Sequence, residues 1–321
     1  MPMADAPPVL PPLGYGAANV GNLYRELTDD AAWAVLEAAW DAGIRYYDTA
    51  PHYGLGLSER RLGAFLATRP RNEFVLSTKV GRLLRPNPEG AGTLDLANDF
   101  AVPADLRREW DFSADGIRRS VDESLQRLGL DRVDIVYLHD PERHDLTVAL
   151  DSGLAGAIAL REEGVVSAIG VGSMDTAALQ AAVDTGALDL LMIAGRYTLL
   201  EQPAASGVLP ACAKHSTGVV LASVFNSGVL AKDELAADAR YEYGPVPSAI
   251  RTRYQALARI CHAHGVRVPA AALQFGLRNE LVRSVIVGAA SPQQITESAA
   301  AMATPIPDAL WDELAEQGLL G

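Results

Sequence analysis

Strand-like and helix-like segments alternate along almost the whole chain, and this alternation is the feature that most constrains its fold. The strand-like segments are short and apolar, and they lie at residues 13–16, 44–48, 73–79, 133–139, 165–170, 188–193, 218–222 and 284–287. Amphipathic segments with helical spacing lie at residues 29–41, 58–68, 113–128, 147–163, 176–184, 203–215, 248–264 and 292–303. Because strands that alternate with helices pair in parallel, eight such units predict an α/β fold, the closed (β/α)8 TIM barrel.

An open, doubly wound sheet is the alternative fold for this pattern, and it normally has a glycine-rich turn that leads from the first strand into a helix. Gly14 and Gly16 lie in the right region, but no helix-like segment begins there. A length of 321 residues suits one barrel domain. We therefore expect a single domain at residues 13–321, preceded by a flexible, proline-rich tail at residues 1–12.

Two connections are longer than ordinary barrel loops, at residues 82–111 and 225–247. Both follow strands, so we expect them at the carboxyl end of the barrel, where the active sites of this fold are built. Beyond the last barrel helix, residues 305–320 predict an additional, exposed helix that contains Trp311 and packs on the barrel.

The charge and cysteine content exclude several classes of partner. The chain has 40 acidic and 27 basic residues, a net charge of -13, which repels nucleic acid and anionic lipid. No apolar run reaches the roughly 18 residues that a membrane-spanning helix needs. Cys212 and Cys261 fit neither a zinc site nor a disulfide framework, so no metal is expected. The N-terminus does not have the pattern of a signal peptide, which favours a cytoplasmic location, and the oligomeric state remains open.

Three of the predicted strands end in residues that can carry chemistry: Asp48, Lys79 and His139. Tyr53 lies in the loop that follows the first of these strands. Each residue alone has an ordinary structural interpretation, as a helix cap, a solvated charge or a satisfied polar group. In a barrel, however, these strand ends are neighbours on one face. The four side chains are therefore predicted to converge on one catalytic site.

These residue types together suit proton transfer to or from an oxygen. A free phenol has a pKa near 10 and is a poor base at neutral pH, but a nearby lysine ammonium favours the phenolate. A carboxylate can hold that lysine, and a histidine can orient the reacting oxygen. Oxidation of an alcohol also needs a hydride acceptor. No side chain can accept a hydride, so a redox cofactor is implied.

The chain resembles the aldo-keto reductase family in several segments. They lie at residues 43–63, 77–79, 138–140, 170–173 and 285–288. The resemblance implies a (β/α)8 barrel that binds NAD or NADP without a Rossmann domain. It makes Tyr53 the general acid/base, Lys79 and Asp48 the residues that tune it, and His139 the residue that orients the substrate.

Residues 111–125 and the motif Phe225-Asn226-Ser227-Gly228 resemble the aldose 1-dehydrogenase branch of that family. The branch oxidises L-fucose, L-galactose and D-threo-aldoses at C1, so the resemblance implies a sugar hemiacetal as substrate and the lactone as product. The candidate substrate-binding residues are His52, Asp140 and Trp110. The indole of Trp110 would either stack on a sugar face or anchor its loop.

Three other functions remain open. Pyridoxal, another cyclic hemiacetal, is the first alternative substrate. Reduction of small aldehydes or ketones is the second. A non-enzymatic, cofactor-binding regulatory subunit is the third, although such a subunit would be expected to lose one of the four catalytic residues.

The resemblance also implies a set of cofactor contacts, with three departures from the common pattern. The set comprises Gly172, Ser173, Ser223, Phe225, Asn226, Ser227, Gly288, Ala289, Ser291, Gln294 and Glu297. Many family members carry Ser-Asn where this chain has Gly172-Ser173. Ala194 replaces a common glutamine, and Ser223 replaces a common aromatic residue.

The sequence favours NAD over NADP. Gly288 and Gln294 stand where NADP-preferring relatives commonly hold lysine and arginine, and the chain has no basic residue after Arg283. Glu297 would repel a 2′-phosphate and suit a ribose hydroxyl. The remaining candidates for a phosphate partner lie in the second long connection and the helix after it: Lys232, Arg240, Arg251 and Arg253.

Overall fold

Eight parallel strands form a closed barrel in the structure, a computed structural model that describes residues 7–237, 239–242 and 244–320. The strands are β1 Leu13–Gly16, β2 Tyr46–Asp48, β3 Val75–Val80, β4 Ile135–His139, β5 Ala168–Ser173, β6 Leu190–Ala194, β7 Gly218–Ala222 and β8 Val282–Gly288. The barrel closes where β8 pairs with β1, from Leu13 opposite Val285 to Gly16 opposite Gly288. The predicted (β/α)8 fold is confirmed.

The helices surround the barrel and include one that the sequence pattern missed. They are α1 Asp29–Asp41, α2 Leu57–Leu66, α3 Ala114–Leu128, α4 Leu154–Glu162, α5 Thr176–Asp184, α6 Val208–His215, α7 Ser248–Ala263, α8 Val268–Phe275, α9 Pro292–Ala303 and α10 Asp308–Glu316. The missed helix, α8, is apolar almost all round and nearly fully buried, so it lacks the polar face that marks an amphipathic helix. In the described residues, none of the helices has the length and apolar character needed to cross a membrane.

The strands direct alternate side chains to the barrel interior and to the helices. The interior cluster includes Tyr46, Tyr137, Met192 and Ile286. Leu10, from the segment before β1, packs into the same cluster and is 9% exposed. The predicted N-terminal tail therefore contributes a side chain to the barrel floor, while residues 1–6 of that tail lie outside the described residues.

The first long connection folds as an antiparallel hairpin, although its residues show no strand-like pattern. Its strands are Arg82–Pro86 and Leu106–Trp110. Between them, Phe100 and Val102 pack with Leu55 and Leu84 in a separate apolar cluster. The hairpin rises from the carboxyl end of β3, so this cluster lies beside the predicted site.

The C-terminal helix α10 is present as predicted, but its tryptophan is not exposed. Trp311 is 5% exposed and lies 4.7 Å from the Arg278 guanidinium, measured to the ring centroid. Leu310, Trp311 and Leu314 form the buried face of an amphipathic helix, so the helix packs as expected and only its other face is exposed.

Candidate active site

Asp48 and Lys79 form a buried ion pair at the carboxyl ends of β2 and β3. Lys79 Nζ donates to Asp48 Oδ2 at 2.5 Å, and each side chain is 4% exposed. Lys79 Nζ also donates to the backbone oxygen of Thr49 at 3.1 Å. Burial alone would lower the pKa of Lys79, but the Asp48 carboxylate and the Tyr53 hydroxyl together more than offset this, and the pKa lies above the usual value. Lys79 is therefore a fixed cation.

A chain of hydroxyl groups supports the other oxygen of Asp48. Ser77 Oγ donates to Asp48 Oδ1 at 2.7 Å. The hydroxyl of Tyr46 lies 3.1 Å from Ser77 Oγ and 3.2 Å from the hydroxyl of Tyr137. Burial raises the pKa of both tyrosines, so they remain neutral. Both oxygens of the carboxylate are thus occupied, and its orientation towards Lys79 is set from inside the barrel.

The predicted general acid/base, Tyr53, lies against Lys79. The distance from Lys79 Nζ to the centroid of the Tyr53 ring is 4.7 Å. Burial raises the pKa of Tyr53, and the Lys79 charge opposes that effect. The direction of the lysine contribution agrees with the sequence analysis, but burial is the larger effect. Without a bound ligand, Tyr53 is therefore a neutral phenol, and the charge of Lys79 limits how far burial raises its pKa.

His139, at the end of β4, faces Tyr53 across the same end of the barrel. The two rings are almost perpendicular, with centroids 5.9 Å apart. Burial lowers the pKa of His139 well below its usual range, and the charges of Arg82 and Lys79 lower it further. The imidazole is therefore neutral, with one nitrogen able to donate to a substrate oxygen. The four predicted catalytic residues do converge in the structure.

A second ion pair lies behind His139. Arg82 Nη2 donates to Asp140 Oδ2 at 2.5 Å, and the Arg82 side chain is 4% exposed. Asp140 Oδ2 also lies 3.7 Å from His139 Nε2. Asp140 adopts a left-handed backbone conformation, with φ 43°, which is unfavourable for a residue with a side chain. In this conformation the carboxylate lies between Arg82 and His139.

His52 is a second neutral imidazole at the site. Burial, followed by the charge of Arg82, lowers its pKa to about 2. Its ring centroid lies 5.5 Å from that of His139, and its Nδ1 is buried without a hydrogen-bond partner in the described residues. An unpartnered ring nitrogen beside the catalytic histidine is suited to bind a sugar hydroxyl.

Trp110 is held in the protein rather than presented to the cavity. Its ring stacks on that of His144, with centroids 5.5 Å apart and planes 5° from parallel. The Arg82 guanidinium lies 4.3 Å from the indole centroid. Of the two interpretations that the sequence left open, this geometry fits an anchor for the hairpin, and it does not fit a stacking surface for the substrate.

A cavity of about 570 Å³ joins the catalytic residues to most of the predicted cofactor contacts. Besides the catalytic four, it is lined by His52, Asp140, Gly172, Ser173, Ser223, Phe225, Asn226, Ser227, Gly288, Ala289 and Gln294. Two predicted contacts do not line it. Ser291 accepts from Gln294 N at the start of α9, and the exposed Glu297 accepts from Gln293 at 2.8 Å.

The cavity wall has features that fit a dinucleotide cofactor. Asn226 Oδ1 is buried without a partner in the described residues. Ser223, Asn226 and Ser227 all have positive φ, so a strained segment follows the end of β7. A Cβ atom at Gly288 would lie 2.7 Å from Asn19 Oδ1. The glycine leaves room beside that amide, and the residues present therefore fit a nicotinamide dinucleotide.

Some lining residues could not be predicted from the sequence as part of a site. They are Asn19, Phe100, Arg143, Met174, Met192 and Glu242. The hydroxyl of Ser173, a predicted cofactor contact, is already hydrogen-bonded within the protein. It donates to Glu142 Oε1 at 2.7 Å and accepts from Asp175 N at 2.9 Å. No sequence motif links the six unpredicted lining residues, because each belongs to a different loop or strand.

Replacing Arg82 with methionine is expected to raise the pKa of His139. The change removes the largest charge effect that lowers this pKa and leaves the Asp140 carboxylate beside the ring. A carboxylate favours the imidazolium form. For carbonyl reduction, in which Tyr53 acts as the neutral phenol throughout this range, kcat/KM should therefore fall between about pH 7 and about pH 5 in the variant and stay level in the parent protein. Arg107→Gln, an exposed cation of the same hairpin, is the control. Identical pH profiles for Arg82→Met and the parent would contradict this assignment.

Comparison with known proteins agrees with the geometry of the site. The chain is 64% identical over 312 residues to a D-threo-aldose 1-dehydrogenase from a Pseudomonas species, covering 97% of this chain and 95% of that protein. It is 36% identical over 323 residues to pyridoxal 4-dehydrogenase from Microbacterium luteolum, covering 96% and 94%. An aldo-keto reductase from Bacillus halodurans, solved in its holo form, has the same fold, with a TM-score of 0.75 at 24% identity over 96% of this chain and 92% of that one. The profile of the aldo/keto reductase family matches residues 12–317. This chain belongs to the aldo/keto reductase family.

Proposed function

We propose that this enzyme oxidises the C1 hemiacetal of an aldose to the lactone, with NAD or NADP as hydride acceptor. The observation that carries the proposal is the convergence of Tyr53, Lys79, Asp48 and His139 in one cavity. The relative with 64% identity is a D-threo-aldose 1-dehydrogenase, which supports sugars of the D-threo, L-fucose and L-galactose type. A cofactor-binding subunit without turnover would not need this complete set.

In the proposed mechanism, the sugar places its C1 hydroxyl between Tyr53 and His139. The neutral His139 donates a hydrogen bond to that oxygen and fixes the orientation of the ring. Tyr53, as the phenolate, takes the hydroxyl proton, and Lys79 stabilises the phenolate with its positive charge. A nicotinamide held by the cavity wall would supply the hydride acceptor for C1. Once Tyr53 has taken the hydroxyl proton, loss of the C1 hydride leaves the C1–O bond as the lactone carbonyl.

The raised pKa of Tyr53 affects the direction of the reaction. As a phenol, Tyr53 is ready to donate a proton to a carbonyl oxygen. As a base for oxidation, it must first lose its own proton against the effect of burial. Alkaline conditions therefore favour sugar oxidation, whereas carbonyl reduction is favoured near neutral pH.

We propose further that NAD is used at least as well as NADP. Among the residues that line the cavity near α9 are Gly288, Ala289, Ala290 and Gln294, and none of them carries a positive charge. The Gln294 side chain is occupied, because its Oε1 accepts from Ala290 N at 2.7 Å. The ribose of NAD needs only hydrogen-bonding partners, whereas a 2′-phosphate needs cations.

The substrate class is tested by steady-state kinetics with L-fucose, L-galactose, D-arabinose, pyridoxal and a simple aldehyde, each with both cofactors. We expect kcat/KM for at least one sugar to exceed that for pyridoxal by about tenfold or more, because His52, Asp140 and Arg143 line the cavity with hydrogen-bonding groups that pyridoxal leaves unpaired. Pyridoxal is the second candidate because a relative of 36% identity is a pyridoxal 4-dehydrogenase. Preference for pyridoxal, or activity on none of the sugars, would contradict the proposal.

A further inference from the structure

Arg25 lies beside the cofactor end of the cavity, next to its lining residue Ala290, although it comes from the opposite end of the sequence. It lies in the loop between β1 and α1, and its Nη2 donates to the backbone oxygen of Ala290 at 3.0 Å. Ala290 itself lines the cavity, one residue before Ser291, which caps α9. The two residues are 265 positions apart, so only the closed barrel brings them together.

The Arg25 side chain is exposed, and within the described residues this is its one side-chain hydrogen bond, which leaves its other donors available for a ligand. Guanidinium groups bind phosphate through several parallel N–H groups, and they retain their charge at every accessible pH. The start of α9 is also where a barrel of this type places a phosphate, after its last two strands. A cation held at Ala290 is therefore well placed to meet a second negative group of the cofactor.

We propose that Arg25 is the specificity-determining residue that allows this enzyme to accept NADP, by pairing with the 2′-phosphate beside Ala290. This inference rests on the proposed use of NAD or NADP. From the sequence, the candidate phosphate partners were expected instead in the second long connection and the helix after it. NAD, which lacks the 2′-phosphate, should bind independently of Arg25.

The basic residues considered from the sequence are less well placed. Arg253 donates to the backbone oxygens of Leu200 and Leu319. Lys232, Arg240 and Arg251, like Arg25, do not line the cavity, but among the described residues no hydrogen bond joins their side chains to the start of α9 as it does for Arg25. Arg267 is near enough to Glu297 to interact with its charge, but its guanidinium is bound to Asp233 at 2.7 Å. Arg267 is therefore the most informative control.

The test measures binding, so that it does not depend on turnover. Isothermal titration of the full-length protein with NADPH, NADH, 2′,5′-ADP and 5′-AMP compares ligands with and without the 2′-phosphate. Arg25→Gln should weaken NADPH and 2′,5′-ADP by about tenfold, a loss of roughly 1.4 kcal/mol, and leave NADH and 5′-AMP within about twofold. Arg25→Lys should recover part of the affinity, because a point charge replaces the fork.

Each other outcome has a definite meaning. The proposal is overturned if Arg25→Gln leaves the affinity for NADPH unchanged, if it weakens NADH equally, or if Arg267→Gln produces the loss instead. It is also overturned if the parent protein binds NADH but not NADPH. Parent protein that binds both cofactors yet oxidises no sugar would contradict the proposed substrate and leave the assignment of Arg25 intact.

Discussion

Replacing Tyr53 with phenylalanine is expected to lower kcat for sugar oxidation by about 10²- to 10⁴-fold, the usual contribution of a positioned acid or base. The variant keeps the aromatic ring beside Lys79 and removes only the hydroxyl group that exchanges the proton. Cofactor affinity should remain nearly unchanged, because the residues near the start of α9 are not altered. Stopped-flow or steady-state kinetics give kcat, and titration with NADH gives the affinity.

Tyr254→Phe is the matched control for this variant. Tyr254 also loses a buried hydroxyl, which donates to the backbone oxygen of Lys232 at 2.8 Å, but it lies in α7 and does not line the cavity. A general effect of deleting a tyrosine hydroxyl would appear in both variants. Turnover near that of the parent in Tyr53→Phe would rule out the tyrosine as the acid/base.

The convergence of the four proposed catalytic residues could be predicted from the sequence because active sites in this barrel lie at the carboxyl ends of the strands. Asp48, Lys79 and His139 each end an apolar run, and parallel strands place their carboxyl ends on one face. The sequence pattern that identifies a strand also shows where the strand ends, and its last residue is therefore expected at the site. Tyr53 follows the second strand closely enough for the same argument to reach it.

Contacts between distant loops could not be predicted in this way. Arg25 meets Ala290, and Arg82 meets Asp140, through pairs that share no periodicity and no motif. The role of Trp110 was open for the same reason, since stacking on His144 depends on the path of the hairpin. A sequence pattern reports how residues are spaced within one strand or helix, whereas these contacts depend on how the closed barrel brings distant loops together.

The electrostatic state of Tyr53 was predictable only in part. The sequence indicates that a lysine near the phenol lowers its pKa, and the structure agrees on that direction. The opposing effect depends on how completely the ring is removed from water, which is a property of the packed site. The same holds for His52 and His139, whose lowered pKa values come first from burial.

Replacing Lys79 with methionine is expected to abolish activity and to lower the free energy of unfolding by roughly 3–5 kcal/mol. The change leaves the buried Asp48 carboxylate without its cation, and an uncompensated buried charge is strongly destabilising. The double variant Asp48→Asn/Lys79→Met removes both charges. Its new side-chain amide oxygen at position 48 can still accept the hydrogen bond that Ser77 donates to Asp48 in the parent protein. We therefore expect the double variant to recover most of the stability and none of the activity.

Denaturant unfolding followed by tryptophan fluorescence at about pH 8 measures this separation of stability from catalysis. Because the pKa of Lys79 is raised in the folded protein, its contribution is fully present below its ordinary pKa of about 10.4 and is lost only as the pH rises through the folded value. At pH 8 the comparison is therefore made with Lys79 fully charged. An active double variant would show that the ion pair only supports the fold, and a fully stable single variant would show that Asp48 does not depend on Lys79. Loss of activity with restored stability is the result that assigns the pair to catalysis, since the packing would then be intact and only the charged pair beside Tyr53 would be missing.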